Sequence, residues 1–382
     1  MATNKEQNKL NVPHLRFPEF HGEWEKCKLG ELAVKVGSGS TPKGGNAVYT
    51  TSGHCFVRSQ NVGMGHLILN DIAYIDESTH QKQKSTELRT NDVLLNITGA
   101  SIGRTALATE EINGGNVNQH VCIIRTNGNV EPSYICDYIQ TSKIQKYIQS
   151  LQTGGSREGL NFEQIRSFPI NIPTVEEQVK IAKLLSLINE RIATQSKLIE
   201  MLESLIKGIA HKVSKQGKPN TRLSECLQCA SSTLQESDVA EVGLYPVYGA
   251  NGIVGYLDTY NTTSEAIYII KDGSGVGTVS YVNGKCSATG TLNILQTNDG
   301  FSLRYLYFML KVFGFEPYKT GMAIPHIYFK DYGKAKIYCP NYELQNKCAN
   351  LLYEIEQKAT IEQKILNNLC SQKQYLLRQM FI

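Results

Sequence analysis

Tryptophan occurs once in 382 residues, charged side chains make up 19%, and 39 Lys+Arg against 35 Asp+Glu leave a formal charge of only +4. No basic excess marks the whole chain as a nucleic-acid binder, so any DNA-facing surface has to be local. Long apolar runs are missing too. Ala266–Ile270 and Tyr305–Leu310 are apolar throughout, yet both are far below the ~18 to 20 residues of a membrane span. The opening MATNKEQNKLN is polar, without the apolar core of a secretory signal or a lipidation motif, which sets the expectation of a cytoplasmic protein.

Catalytic signatures are absent as well. There is no GxxxxGK[ST] phosphate loop, no NPPY-like motif and no H-E-x-x-H among the eight histidines, and GSGVG at Gly273 is not GxGxxG. No Ser/His/Asp set stands out, so no catalytic residue is assigned. Ten cysteines, at 27, 55, 122, 136, 226, 229, 286, 339, 348 and 370, lack the dense spacing of a secreted scaffold and are expected as thiols. Cys226 and Cys229 have C-x-x-C spacing without a second knuckle, so a packed thiol is expected at Cys226 and no metal site.

What the sequence does contain is a repeat. A shift of 167 positions lays the segment from Thr153 onto that from Thr320 without a gap, with Gly154/Gly321, Pro173/Pro340, Gln178/Gln345, Lys180/Lys347, Leu185/Leu352 and Leu202/Leu369 among the identities. Apolar positions keep phase, as in Phe162/Phe329 and Ile188/Ile355. Upstream, ITGASIGRT with Gly99 and Gly103 answers IKDGSGVGT with Gly273 and Gly277, and KLGEL at Lys28 answers RLSEC at Arg222. A repeat of this kind implies duplicated architecture.

Each copy reads as a β-rich segment followed by a long helix. Phe56 to Val62, Asp92 to Thr98 and Val117 to Arg125 are predicted strands in the first copy. In the second, Tyr245 to Gly249, Ala266 to Lys271, Gly277 to Val282 and Thr291 to Gln296 are predicted strands. Shorter helices are expected within Ser133 to Gln149 and Ser302 to Phe313. The fold class is therefore α+β, with two modules of about 150 residues.

From Ile181 the apolar positions run Leu185, Ile188, Ile192, then Gln195, Ile199, Leu202, Ile206 and Ile209, in alternating steps of four and three. This is a heptad seam on a helix expected from about Val175 to Val213, ~58 Å long at ~1.5 Å per residue. Thr174 and Glu177 have capping-box spacing at its start, and Asn341 fills the N-cap position of the second helix. The second seam runs Cys348, Leu352, Ile355, Ala359, Glu362, Leu366, Leu369, Lys373 and Leu376. Gln195 and Glu362 interrupt at the same register, which favours pairing of the two helices as an antiparallel coiled coil over packing of each on its own module. Lys373, where the first helix has Ile206, implies last turns that are less buried or face another subunit.

The sequence resembles the specificity subunit of type I restriction-modification systems. VPHLRFPEFHGEWEKCKLGEL (Val12 to Leu32) is similar to that family's leader into its first target-recognition domain, and INIPTVEEQVKIAKLLSLINERI (Ile170 to Ile192) to its strand-Pro-helix junction, with IYCPNYELQNKCANLL as the second. The resemblance covers essentially the whole chain. It implies a disordered leader (1–11), target-recognition domains at 12–173 and 216–340, and spacer helices at 174–215 and 341–382. It implies a non-catalytic, DNA-binding subunit that directs two methyltransferase and two restriction (translocase/nuclease) subunits to a bipartite sequence. S-adenosylmethionine, ATP and Mg would be bound by those partners, and no cofactor by this chain. The second junction lacks the Glu-Glu-Gln of the first, which sets apart how the two helices would engage methyltransferase subunits.

Base readout needs donors and acceptors aimed at base edges, and phosphate contacts need Lys, Arg, Ser, Thr or backbone amides. Candidates in the first module are Ser40, Thr41, Lys43, Arg58, Gln60, Asn61, Thr98, Ser101, Arg104, Asn118, Gln119, Ser156 and Arg157. In the second they are Tyr248, Asn251, Lys271, Ser274, Thr278, Lys285 and Thr289, with Tyr318 and Tyr328 nearby. The competing reading is a non-DNA coiled-coil scaffold presenting two ligand- or protein-binding β modules.

Overall fold

The computed structural model describes residues 10–152, 159–321 and 324–382. Two compact units emerge, one built from residues 1–194 with 366–382 and the other from residues 195–365. The first nine residues lie outside the described ones. Asn11, assigned from sequence to a disordered leader, is instead buried, its amide donating to the Trp24 carbonyl (2.6 Å) and to Asn171 Oδ1 (3.1 Å).

Unit 1 begins with β1 (Glu25–Lys28), α1 (Leu29–Leu32), β2 (Ala33–Ser38), β3 (His54–Val57), β4 (Ala73–Ile75) and α2 (Glu77–Lys82). It continues through β5 (Val93–Asn96), β6 (Thr105–Leu107), β7 (Asn116–Val117), β8 (Val121–Thr126), α3 (Pro132–Ile139), α4 (Ser142–Ser150), α5 (Phe162–Arg166) and β9 (Pro169–Ile172) into α6 (Val175–Ser214). Unit 2 holds β10 (Thr221–Arg222), α7 (Leu223–Cys226), β11 (Leu227–Ser231), β12 (Tyr245–Gly249), β13 (Gly252–Leu257) and β14 (Ala266–Ile270). Its remaining elements are β15 (Val279–Val282), β16 (Ser287–Ala288), β17 (Leu292–Thr297), α8 (Leu303–Lys311), α9 (Phe329–Tyr332) and β18 (Lys336–Ile337), and α10 (Tyr342–Gln379) starts within it.

Each unit has the same three sheets. The four-stranded ones run β2-β8-β5-β6 and β11-β17-β14-β15, the three-stranded ones β4-β3-β7 and β13-β12-β16, and two-stranded pairs β1-β9 and β10-β18 join module entry to module exit. In the three-stranded sheets β3 runs parallel to β7 and β12 to β16. Alternation explains why β5 and β14 read as unbroken apolar runs. Val93 and Leu95 enter a core shared with α3 while Leu94 enters one on the opposite face, and Ile267 and Ile269 are divided in the same way from Ala266, Tyr268 and Ile270. Both faces of each central strand are covered.

Two predicted strands are interrupted by turns. The extended backbone from Phe56 stops at Val57, and Ser59–Asn61 form a 3-10 turn whose Asn61 accepts from the Arg58 amide (3.0 Å). The run from Val117 to Arg125 is cut by a turn in which Asn118 accepts from the His120 amide (3.0 Å). Short side-chain-to-backbone bonds of this type offer the chain an alternative to a sheet ladder.

The two long helices pair antiparallel. In unit 1, Ile181 and Leu185 near the start of α6 share a core with Leu377, Met380 and Phe381 at the end of the chain. In unit 2, Ile206, Ala210 and Val213 near the end of α6 share one with Ala349 and Leu352 near the start of α10. Ile199 and Leu369 are buried, while Ile188, Ile192, Leu202, Ile355, Ala359 and Leu366 are half-buried, as an otherwise uncovered two-helix seam leaves them. Gln195 meets Glu362, donating to its carboxylate (2.5 Å) and its carbonyl (3.1 Å).

Two details at the helices differ from the sequence reading. Thr174 accepts from the Glu177 amide (3.4 Å), but the Glu177 carboxylate does not reach back; it is fully buried against the Arg16 guanidinium, 2.8 and 2.7 Å away. The box is half formed because the Glu177 carboxylate accepts more strongly from a charged guanidinium donor than from a backbone amide. Lys373 is not an exposed end residue. It is buried in unit 1, donating to Gln140 Oε1 (2.9 Å), and Gln140 donates to Asp137 (3.1 Å). Burial holds the Lys373 amine below its ordinary range and pushes the Asp137 carboxyl up from 3.8 to about 7, against the opposing pull of Lys373.

Candidate nucleic-acid interface

Strand direction decides which candidates meet. In unit 1, β2 ends at Ser38 opposite Cys122, so the loop through Ser40, Thr41 and Lys43 lies beside the Asn118–His120 turn. Gly39 packs so tightly on the Val117 carbonyl that a Cβ there would lie 1.7 Å from it. Thr41 hydrogen-bonds Gln119, whose amide meets His120 Nε2 (3.1 Å), and His120 Nδ1 meets Thr98 Oγ1 (2.5 Å). The end of β3 joins the same edge through Asn96, whose amide donates to the Ser59 carbonyl (2.8 Å) and whose buried Oδ1 has no partner among the described residues. Ser40, Thr41, Lys43, Gln60, Arg104 and Gln119 are exposed, and Ser101 and Thr98 half-buried, along this loop edge.

The side chains differ in what they have left to offer. Arg58 donates to the Asp71 carbonyl (2.7 Å) and carboxylate (3.2 Å), stands 5.5 Å over the Tyr49 ring, and leaves a buried Nε without an acceptor among the described residues. Gln60 donates to the same carboxylate (2.5 Å). Asn61 and Asn118 are buried and engaged with backbone, Asn61 donating to the Ile68 carbonyl (2.9 Å), so both shape the loops instead of facing solvent. Ser156 and Arg157 lie outside the described residues.

Unit 2 builds the same edge from other residues. Thr289 donates its amide to the Tyr248 carbonyl (2.8 Å), as Asn118 does to Val57 (3.1 Å). Lys271 donates to the Thr291 carbonyl (3.0 Å) as Ile97 does to His120 (3.0 Å), and Ile327 closes on Lys271 as Leu160 closes on Ile97. Gly103 and Gly277, both at positive φ (86° and 90°), donate back to Asn96 and Ile270 from equivalent turns, a conformation other residues resist. The Gly-rich motif is thus a turn in both units.

Tyr248, Lys271, Ser274 and Thr278 lie at this end, Ser274 and Thr278 exposed, and Asn251 sits exposed in the tight β12–β13 connection that follows. Burial raises the Tyr248 hydroxyl above its ordinary range. Tyr328 is 47% exposed, beside His326, which faces Asp272 (3.7 Å). Tyr318 is half-buried and stacks on Phe313 instead. Two candidates do not fit. Thr289 is buried, bonded to Thr291 Oγ1 (2.8 Å), and Lys285 lies past the far end of β15, its amine 4.9 Å over the Tyr260 ring and 5.8 Å over Tyr245. His120, Asp71, Asp272 and His326 belong to the edge and were not singled out from sequence, although Asp272 lies within the IKDGSGVGT turn.

Among the described residues, no group of three or more His, Cys, Asp or Glu could hold a metal ion, and no helix is long and apolar enough to cross a membrane. Cys226 faces Cys339 (3.8 Å) and not Cys229.

Two sandwiches of one design, each with a polar loop edge and each joined to paired helices, define a duplicated recognition architecture. The profile of the type I restriction modification DNA specificity domain matches residues 21–204 and 222–370, and the chain belongs to that family. It is similar to a Mycoplasma genitalium protein named a type I specificity subunit, 25% identical over 313 residues covering 75% of this chain and 79% of that protein. A Methanocaldococcus jannaschii protein named a type I restriction enzyme specificity subunit is 25% identical over 219 residues, 56% of this chain and 50% of its own length. The crystal structure of a type I restriction-modification S subunit from M. genitalium superposes with a TM-score of 0.69 at 19% identity, covering 97% of this chain and 99% of that one.

Proposed function

We propose that the chain is the DNA sequence-specificity subunit of a type I restriction-modification complex, binding a bipartite, asymmetric double-stranded target. The observation that carries this reading is one loop edge occurring twice on the same frame with unlike side chains: Arg58, Gln60, Gln119 and His120 in one unit, Tyr248, Lys271, Asp272 and His326 in the other. Unlike donors on a shared frame suit two unlike half-sites, since phosphate contacts set position and base contacts set sequence. With so small a net charge, basic groups at these edges have to supply the local attraction.

Catalysis belongs to partners on this reading: adenine methylation by two methyltransferase subunits using S-adenosylmethionine, and ATP- and Mg-dependent translocation and cleavage by two restriction subunits. The outer faces of the helices support such docking, because they leave Val175, Val179 and Leu187 in unit 1 and Met201, Leu351 and Ile361 in unit 2 exposed. The test is to assemble the full chain with methyltransferase subunits, methylate a random-sequence DNA library and sequence the modified adenines. A single split motif and binding that weakens steeply with salt are expected. Uniform methylation of all sequences would overturn the reading and favour a scaffold presenting two ligand- or protein-binding modules.

A further inference from the structure

Unit 2 contains two thiols that its own fold brings together from opposite ends of the module. Cys226 closes α7 just before β11, and Cys339 precedes Pro340 and α10; their sulfurs stand 3.8 Å apart although 113 residues separate them. The surrounding backbone is already fixed. Asn220 donates to the Cys339 carbonyl (2.8 Å) and accepts from its amide (2.8 Å), while β10 pairs with β18 alongside. The equivalent positions in unit 1 are Leu32 and Ile172, which pack in its apolar core. Packing at this junction therefore does not require sulfur, and the thiol pair is an addition peculiar to the second module.

We propose that Cys226 and Cys339 form a peroxide-responsive dithiol that closes to a reversible disulfide across the two ends of the second module. Closure needs the sulfurs to move from 3.8 Å to about 2.05 Å. Cys339 is the attacking thiol. It keeps 6% exposure where Cys226 has none, and Cys226 is held as a thiol by donating to the Arg222 carbonyl (3.2 Å). In the first step the Cys339 sulfur attacks a peroxide oxygen, the O–O bond breaks, and a sulfenic acid and one water form. In the second, the Cys226 sulfur attacks that sulfur, the S–O bond breaks and a second water leaves. Two thiols lose two electrons and one peroxide is reduced to two waters; a thiol reductant returns the pair by exchange.

The experiment uses the purified full chain carrying Cys370→Ser, which removes an exposed thiol able to link two molecules. After brief hydrogen peroxide treatment, free thiols are alkylated and the protein is digested without reductant for mass spectrometry. A Cys226–Cys339 linked peptide is expected before any other cysteine pair, and it should vanish on reduction. In Cys226→Ala the reaction should stop at Cys339 sulfenic acid, captured by a cyclic 1,3-diketone, while Cys339→Ala leaves Cys226 unlabelled. Recovery of both residues as free thiols while other cysteines oxidise would overturn the proposal, and the linked-peptide measurement decides it even if neither alanine variant folds.

Discussion

The two units agree where backbone turns and differ where charges meet the helices. Gln178 accepts from the Glu131 amide (2.9 Å) and donates to the Pro173 carbonyl (2.9 Å); Gln345 accepts from the Ser302 amide (2.9 Å) and donates to the Pro340 carbonyl (2.8 Å). The Tyr134 and Tyr305 hydroxyls each donate to a carbonyl of the exit segment at 2.7 Å. The ion pairs show no such match. Glu177 with Arg16 has exposed Leu344 as its counterpart, and the buried Asp137–Gln140–Lys373 chain of unit 1 is answered by a more open cluster in which Lys311 (2.8 Å) and Tyr307 (2.7 Å) both donate to Glu356. A duplicated frame with separate charge wiring lets each module keep its shape while its surface diverges.

That contrast can be broken at several places. The largest effect is expected at the two junctions: Arg16→Ala leaves the buried Glu177 carboxylate unpaired and should cost ~3 kcal/mol or more, while Leu344→Ala changes stability by under ~0.5 kcal/mol. Urea unfolding of the full chain, followed separately for each unit, measures both. Equal losses would erase the asymmetry.

Lys373→Ile should cost ~3 kcal/mol, and much less in an Asp137→Asn background, where a neutral amide replaces the carboxyl that would be orphaned. A pH series adds a sign. Because Asp137 keeps its proton to about 7 in the fold but loses it near 3.8 when unfolded, its contribution makes stability fall as pH rises from about 4 to about 7. Asp137→Asn should remove that component of the slope; an unchanged profile would show that the carboxyl is not buried as described.

Smaller losses, ~1 to 3 kcal/mol each, are expected for Gln178→Ala and Gln345→Ala, and they should be similar because each strips the same buried amide and carbonyl of partners. The smallest change is expected at the seam. Gln195→Leu alone leaves Glu362 facing an apolar side chain and should cost ~1 kcal/mol, whereas Gln195→Leu with Glu362→Leu is expected to be neutral or stabilising.

Much of the frame was legible in the sequence, because repetition exposes positions that backbone geometry constrains: the paired glycines of the turns, the Pro-x-x-x-x-Gln junctions, and Gln195 with Glu362 in one seam. What stayed hidden depends on long-range partners. Nothing near Lys373 announces Gln140, 233 residues away, and Cys226 reads as half of a C-x-x-C until the fold sets it against Cys339. The loop edge was legible as a group of segments but not residue by residue. Asn61 and Asn118 look like free amides in sequence, yet a bond to a backbone group two or three residues away suffices to bury them. Asp71, whose carboxylate gathers Arg58 and Gln60, carries no local pattern at all.

The central claim is that each unit reads its own half of one DNA target. It is tested most directly by exchanging residues 12–173 for the corresponding module of another family member, assembling the chain with its methyltransferase subunits, and sequencing the adenines methylated in a random DNA library. The account predicts a motif in which one half-site changes and the other is kept. A change in both halves, or methylation without sequence preference, would contradict it.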